Sequence, residues 1–134
     1  MFISDEDATF QALWAKAAPL LQRAIDRCCD GTWLIEDVKQ AVMEGRMQFW
    51  PLENGAVVTE ILEFPRKKAL NCWLCGGSME EMAPLLPALE AFAKANECYA
   101  LYGAGRKGWT REMLQYGWEP DYHIKRILEV TDGR

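Results

Sequence analysis

Two basic residues stand where the sequence could bind an anion. The segment GAGRKGW, residues 103–109, places Arg106 and Lys107 after two glycines and before a helical pattern, in a chain whose net charge is -5. Unpaired N–H groups at a helix start favour anions, so the two cations could help to hold a phosphate there. A solvated turn, or a contact with the acidic N-terminal helices, would also explain them, and both hypotheses stay open.

Cysteines form the second candidate group. Cys72 and Cys75 spell C-x-x-C, but a zinc site usually needs a second pair or histidines, and His123 is the only histidine of the chain. The motif lies inside an apolar run that is typical of a strand, so we expect the two thiols on opposite faces of a sheet. The chain has five cysteines, and an odd number favours free thiols over a disulfide framework. We expect buried structural thiols and no metal.

Composition limits the class of protein. A chain of 134 residues, half of them hydrophobic, predicts one domain over residues 1–134 with a substantial core. No apolar run reaches the roughly 18–20 residues that span a bilayer, and an acidic N-terminus is unlike a signal peptide. We therefore expect a cytoplasmic protein without a membrane partner. The negative net charge argues against general nucleic-acid binding, which needs a basic face.

Helical periodicity dominates the first third of the chain. Apolar residues recur at helical spacing from Phe10 to Cys28, and Pro19 marks either a kink or the first turn of a second helix. Thr32 can cap a short helix that carries Val38 and Val42. The sequence therefore predicts two N-terminal helices.

A period of two then replaces the helical period. The segments RMQFWPL, AVVTEILEF and ALNCWLC predict a three-strand antiparallel meander, with a hairpin at Asn54-Gly55. A long helix follows Gly76-Gly77-Ser78, then a buried strand CYALYG, a short helix over 110–116 ending at Gly117, and a last strand YHIKRILEV. Strand, helix and strand over residues 68–102 predict a crossover with parallel strands. The fold class is α+β with a mixed sheet.

This order of elements resembles the GNAT (GCN5-related N-acetyltransferase) fold. The chain resembles in particular small GNAT-like proteins of tailed phages and prophages. The resemblance lies in TEILEFPRKK (59–68), CGG (75–77), GRKGW (105–109) and YGWEP (116–120). The resemblance implies an acyl-CoA-dependent N-acetyltransferase that acts on an unknown amine in the cytoplasm of a bacterial host cell. It also implies acetyl-CoA as the cofactor.

The resemblance implies a role for each candidate residue. The pantetheine arm would pair with backbone in a gap between LNCWLC and CYALYG. Cys75, Gly76, Gly77 and Ser78 would hold the pyrophosphate at the following helix start, and Arg106 and Lys107 the outer phosphates. Glu60 would act as general base, and Tyr116 as general acid, with Tyr102 as a second candidate. A solvent-facing Glu60 on an alternating strand, and tyrosines that only pack, are the alternatives.

Two departures from the family pattern favour a rival function. The usual Arg/Gln-x-x-Gly-x-Gly/Ala loop is absent from the sequence. Met113 occupies the position of the tyrosine that acts as general acid in the family. A methionine cannot protonate a departing thiolate. The alternative is a non-catalytic virion or DNA-ejection protein that keeps the fold and binds a phage or host protein. Six tryptophans agree with a protein partner, since tryptophan is enriched at binding hot spots.

Overall fold

The computed structural model describes residues 8–103, 107–122 and 124–128, in two compact units that divide after Ala104. The first unit contains α1 (Ala8–Cys28), α2 (Ile35–Met43), β1 (Gln48–Leu52), β2 (Gly55–Glu63), β3 (Lys68–Gly76), α3 (Met79–Ala95) and β4 (Cys98–Gly103). The second contains α4 (Lys107–Met113) and a 3-10 turn, Leu114–Tyr116. Arg106 and His123 lie outside the described residues.

The strands form one mixed sheet in the order β1-β2-β3-β4. β1, β2 and β3 are antiparallel neighbours, and the β1–β2 hairpin closes where Leu52 pairs with Gly55. β4 runs parallel to β3 after the α3 crossover. The expected meander and crossover are therefore confirmed. A parallel pair needs such a crossover, because a hairpin can join only antiparallel strands.

A bulge in β3 decides which side chains share a face. Val58 pairs with Leu74, whereas its neighbour Thr59 pairs with Cys72, so Trp73 is an extra residue between two consecutive pairs. An extra residue of this kind interrupts the alternation of side chains along its strand.

The bulge places both thiols of the C-x-x-C motif on one face. Val57 and Thr59 are two residues apart and share a face of β2, and their partners are Cys75 and Cys72. Directly paired residues project to the same side of a sheet. The prediction of opposite faces was therefore wrong, because regular alternation fails across the bulge at Trp73.

Helices cover both faces of the sheet. α1 and α2 pack on the front face, which we define by Val58 and Leu74, in a core with the fully buried Leu21 and Val38. The back face carries Val57 and Trp50, and the Trp50 ring meets Phe92 of α3 edge-on with 5.4 Å between centroids. Burying each large aliphatic side chain contributes about 1.5–3 kcal/mol, so the two cores together hold the sheet between the helices.

The N-terminal helices differ in detail from the sequence prediction. Pro19 lies inside one continuous α1, so the interruption in the apolar pattern does not start a second helix. α2 starts at Ile35, and the backbone N–H of Leu34 donates to Asp37 Oδ2 at 2.9 Å. The expected cap at Thr32 was wrong, because its hydroxyl donates to the Cys29 carbonyl instead.

The second unit confirms one predicted helix end and contradicts a strand. Gly117 adopts φ +87° directly after Tyr116, as expected for a glycine that ends a helix. The helix predicted over 110–116 starts earlier, at Lys107. Tyr122 and residues 124–128 form no strand, although their pattern alternates. A strand needs a partner for its backbone hydrogen bonds, and alternation alone does not supply one.

Among the described residues, no helix is both long enough and apolar enough to cross a membrane.

Candidate active site

The turn between β3 and α3 is closely packed against its neighbours. A Cβ added at Gly76 would come within 3.1 Å of the Leu20 backbone in α1, and Gly77 adopts φ +120° beside the carbonyl of Asn54. Both positions therefore need glycine for packing or conformation, whatever binds nearby. α3 then starts after Ser78, an exposed residue whose side chain makes no capping hydrogen bond.

The first turn of α3 has N–H groups without a helical partner. The amides of Glu81 and Met82 donate to the Ser78 carbonyl at 3.2 Å and 3.1 Å. The amides of Met79 and Glu80 come before the first hydrogen bond of the helix. The Glu81 carboxylate accepts the backbone N–H of Asn54 at 3.0 Å. This bond holds the negative charge of the Glu81 side chain at the β1–β2 hairpin. Glu80 is exposed in the same turn and would oppose an anion there.

The β3–β4 ladder ends before β3 does. Its last pair is Cys72 with Gly103, whereas β3 continues to Gly76. Residues 73–76 therefore extend past the described ladder. Four residues of extended strand span about 13 Å. This edge leads from the α3 start back to the point where β3 and β4 come together.

Polar side chains lie in register at the end of this ladder, on the front face. Glu60 pairs with Asn71, and Asn71 pairs with Tyr102, so the three form a row across β2, β3 and β4 that we call the polar row. The Asn71 amide donates to Glu60 Oε2 at 3.3 Å. The Tyr102 hydroxyl lies 2.5 Å from that of Tyr99. The row joins a carboxylate, an amide and a phenol across three strands of the sheet, and a second phenol, that of Tyr99, is hydrogen-bonded to it.

Solved structures with the same fold bear on this site. The chain superposes on a probable acetyltransferase with a TM-score of 0.64 and 10% identity, covering 97% of this chain and 96% of that one. A Trypanosoma brucei acetyltransferase gives 0.58 and 9%, covering 84% and 94%. An aminoglycoside acetyltransferase from an uncultured soil metagenomic sample, in complex with sisomicin, gives 0.58 and 11%, covering 95% and 93%.

The chain has the fold of acetyltransferases. The four-strand mixed sheet between helices agrees with the GNAT-like architecture expected from the sequence. No protein-family model matches the chain, and no curated protein matches it in sequence.

The two thiols of the C-x-x-C motif differ little in burial, since Cys72 is buried and Cys75 is half-buried. Burial raises the pKa of Cys72 to about 12, and burial together with the neighbouring Cys72 raises the pKa of Cys75 to about 12. Both therefore stay neutral thiols at pH 7, which makes them poor nucleophiles and poor anion-binding groups. The neutral Cys75 thiol therefore offers no charge to a phosphate. No three His, Cys, Asp or Glu side chains of the described residues group as a metal site.

The predicted site residues fall into three places. Cys75, Gly76, Gly77 and Ser78 form the continuous turn into α3. Glu60 lies about 13 Å from this turn along β2, because it is four residues beyond the partner of Gly76. The remaining candidates belong to the second unit. Lys107 is the first residue of α4, and Tyr116 ends the 3-10 turn with an exposed side chain.

Asn71 is the site residue that sequence reasoning missed. It is the one polar residue in the otherwise apolar run ALNCWLC, at positions 69–75. A polar side chain in a strand that packs on both faces needs a hydrogen-bond partner. That requirement was a usable signal for Asn71, but only the β2–β3 register identifies Glu60 as the partner.

Proposed function

We propose that this chain is a GNAT-like N-acetyltransferase that transfers an acetyl group from acetyl-CoA to an amine. The main support for this proposal is the position of the polar row. Glu60, Asn71 and Tyr102 lie in register at the point where the β3–β4 ladder ends. A cofactor arm that follows the edge of β3 from the α3 start would bring its thioester to this point.

The β3–α3 turn supports the proposed position of the cofactor. The unpaired amides at the α3 start and the helix dipole would stabilise the pyrophosphate, with Gly76, Gly77 and Ser78 as the nearest backbone. Residues 73–76 would offer backbone groups to the pantetheine arm, and Cys75 would line it. Arg106 and Lys107 remain proposed for the outer phosphates, on the strength of the sequence resemblance.

The polar row can perform both proton transfers of an acetyl transfer. Acetyl-CoA supplies the acyl thioester that the amine attacks. The Glu60 carboxylate can accept the proton that the amine must lose, and the Asn71 amide positions that carboxylate through the 3.3 Å bond. The Tyr102 hydroxyl, hydrogen-bonded to Tyr99, can donate a proton to the departing thiolate. Tyr116 remains the other candidate acid, proposed from the family pattern.

A non-catalytic protein with the same fold is the second candidate. Two observations favour it: Met113 stands at the family's tyrosine position, and packing alone explains the glycines of the β3–α3 turn. The phage or prophage type, the bacterial cytoplasm and a place in the virion rest on the sequence resemblance. In this alternative the partner is a phage or host protein.

Two measurements separate these functions. Acetyl-CoA at ~100 times its dissociation constant should stabilise the enzyme by about 2.7 kcal/mol, so thermal unfolding should shift upward. Acetyl transfer should then be assayed with a panel of amines that includes an aminoglycoside, an alkyl diamine and a peptide with a free N-terminus. An absent shift at millimolar acetyl-CoA would support the non-catalytic candidate.

The base assignment has its own variant and control. Glu60→Gln should lower kcat by ~10²–10⁴-fold, the usual contribution of a positioned base, and leave the acetyl-CoA shift intact. Glu63→Gln removes an exposed carboxylate from the end of the same strand and should change neither quantity. Equal kcat for wild type and Glu60→Gln would show that another group takes the proton.

A further inference from the structure

Cys28 and Cys29 form a pair of adjacent thiols at the junction of α1 and α2. Their sulfur atoms lie 2.7 Å apart, and neither residue is in a disulfide. Cys28 is exposed, whereas Cys29 is only 7% exposed and belongs to the front core. One thiol of the pair is thus open to solvent, and the other lies directly behind it.

The backbone holds this pair in one conformation. The Cys29 N–H continues the helical bonding by donating to Ile25, at 3.0 Å, and the Cys29 carbonyl accepts the N–H of Thr32 at 2.8 Å. The Thr32 hydroxyl donates to the same carbonyl. Asp30 and Gly31 follow with φ +47° and +76°. The turn is therefore closed just after the pair, and the two sulfurs remain in contact within it.

The pair differs chemically from the thiols of the sheet. Burial raises the pKa of Cys72 to about 12, so that thiol is protected from exchange, which requires a thiolate. The exposed Cys28 thiol is accessible to an incoming disulfide, and the sulfur of Cys29 is already in contact with it.

We propose that Cys28 and Cys29 form a thiol–disulfide exchange site for low-molecular-weight disulfides. The Cys28 thiolate attacks one sulfur of the small disulfide RSSR, which forms a mixed disulfide at Cys28 and releases one RS⁻. The Cys29 thiol then loses its proton and attacks the Cys28 sulfur, which closes the Cys28–Cys29 bond and releases the second RS⁻. The two cysteines are oxidised and RSSR is reduced to two thiols.

The test uses the full-length wild-type chain with oxidised glutathione as the disulfide. After exchange, the intact mass measured before alkylation should show a loss of two hydrogens and no glutathione adduct. A second sample is alkylated rapidly to prevent reshuffling. Peptide mapping should place the new bond in the peptide that contains residues 28 and 29. Two of the five thiols should become unavailable to alkylation, and dithiothreitol should restore both.

Two variants separate a paired site from a single reactive cysteine. Cys29→Ser should stop the reaction at the glutathione adduct on Cys28, and Cys28→Ser should abolish the reaction of this pair. A lasting adduct on wild-type Cys28, a bond to another cysteine, or no reaction would each overturn the proposal. If Cys29→Ser does not fold, the wild-type mass alone decides, because ring closure and adduct formation change it in opposite directions.

Discussion

Gly76→Ala tests whether packing fixes the turn that starts α3. Gly76 ends β3, and its φ lies outside the left-handed region, so alanine fits the backbone there. The difficulty is space. The new methyl carbon would lie 3.1 Å from the carbonyl carbon and oxygen of Leu20 and 3.2 Å from its Cβ. Two of these atoms are backbone, so the neighbour cannot rotate away as a flexible side chain would.

The expected cost follows from the size of this overlap. Contacts between 3.0 and 3.4 Å are tighter than almost all real Cβ contacts, and relief requires α1 to move away from the sheet by a few tenths of an ångström. Inserting a carbon into a packed core costs about 1–3 kcal/mol. For a chain of this length we expect a fall in Tm of roughly 3–10 °C.

The assay is urea unfolding of the purified variant, followed by circular dichroism and tryptophan fluorescence. Gly108→Ala is the matched control, because a Cβ at Gly108 meets nothing within 4 Å and lies in α4. Alanine is favoured over glycine inside helices by about 0.5–1 kcal/mol, so the control should equal or exceed the wild type. A Gly76→Ala protein as stable as wild type would refute the packing explanation and would return the glycine to a ligand-binding role.

Three other predictions concern the interior and the anion site. The hydroxyl of the fully buried Thr59 donates to Gln48 at 2.7 Å and accepts from Trp50 at 3.0 Å. Thr59→Val should therefore lower the free energy of unfolding in urea by about 1–3 kcal/mol, and an unchanged urea midpoint would contradict this. The raised pKa of Cys72 and Cys75 keeps them protonated when the unfolded chain ionises, so stability should fall between about pH 9 and 12, by up to ~1.4 kcal/mol per pH unit for each thiol. If the stability of a Cys72→Ala/Cys75→Ala variant falls as steeply over this pH range, the two thiols are not the cause. Arg106→Ala should weaken coenzyme A binding roughly 10- to 150-fold in calorimetry if it holds a phosphate, whereas unchanged affinity with a lower Tm would make Arg106 structural.

Much of the fold could be predicted because its signals are local. The segment CYALYG coincides with β4, and Gly76-Gly77-Ser78 leads directly into α3. In both cases a change of hydrophobic period coincides with a turn signal. The last strand was wrong over its described residues, Tyr122 and 124–128, for the opposite reason. Alternation at 122–130 is a property of one segment, but strand formation depends on a partner that no local pattern identifies.

The candidate site was less predictable, because it depends on pairing between distant segments. Glu60 could be selected as an acidic residue in an apolar strand. Its partner Asn71 and the neighbouring Tyr102 are fixed only by the register of two ladders. A register shift of one residue in β3 would move Asn71 to the other face, away from Glu60 and Tyr102. Sequence patterns predict which residues alternate, whereas packing decides where each ladder starts.

The bulge at Trp73 connects the core to the site. The sequence ALNCWLC offers no glycine or proline that would indicate it, and the Trp73 ring instead packs on Trp33 with centroids 4.6 Å apart. Regular alternation would place Trp73 and Leu74 on opposite faces, yet both contribute to the core on the α1 and α2 side. Two large side chains therefore obtain burial on one face at the expense of one regular pair. The bulge falls one residue after the last described β3–β4 pair, so the packing of Trp73 also decides which face of the sheet the side chains of residues 74–76 take.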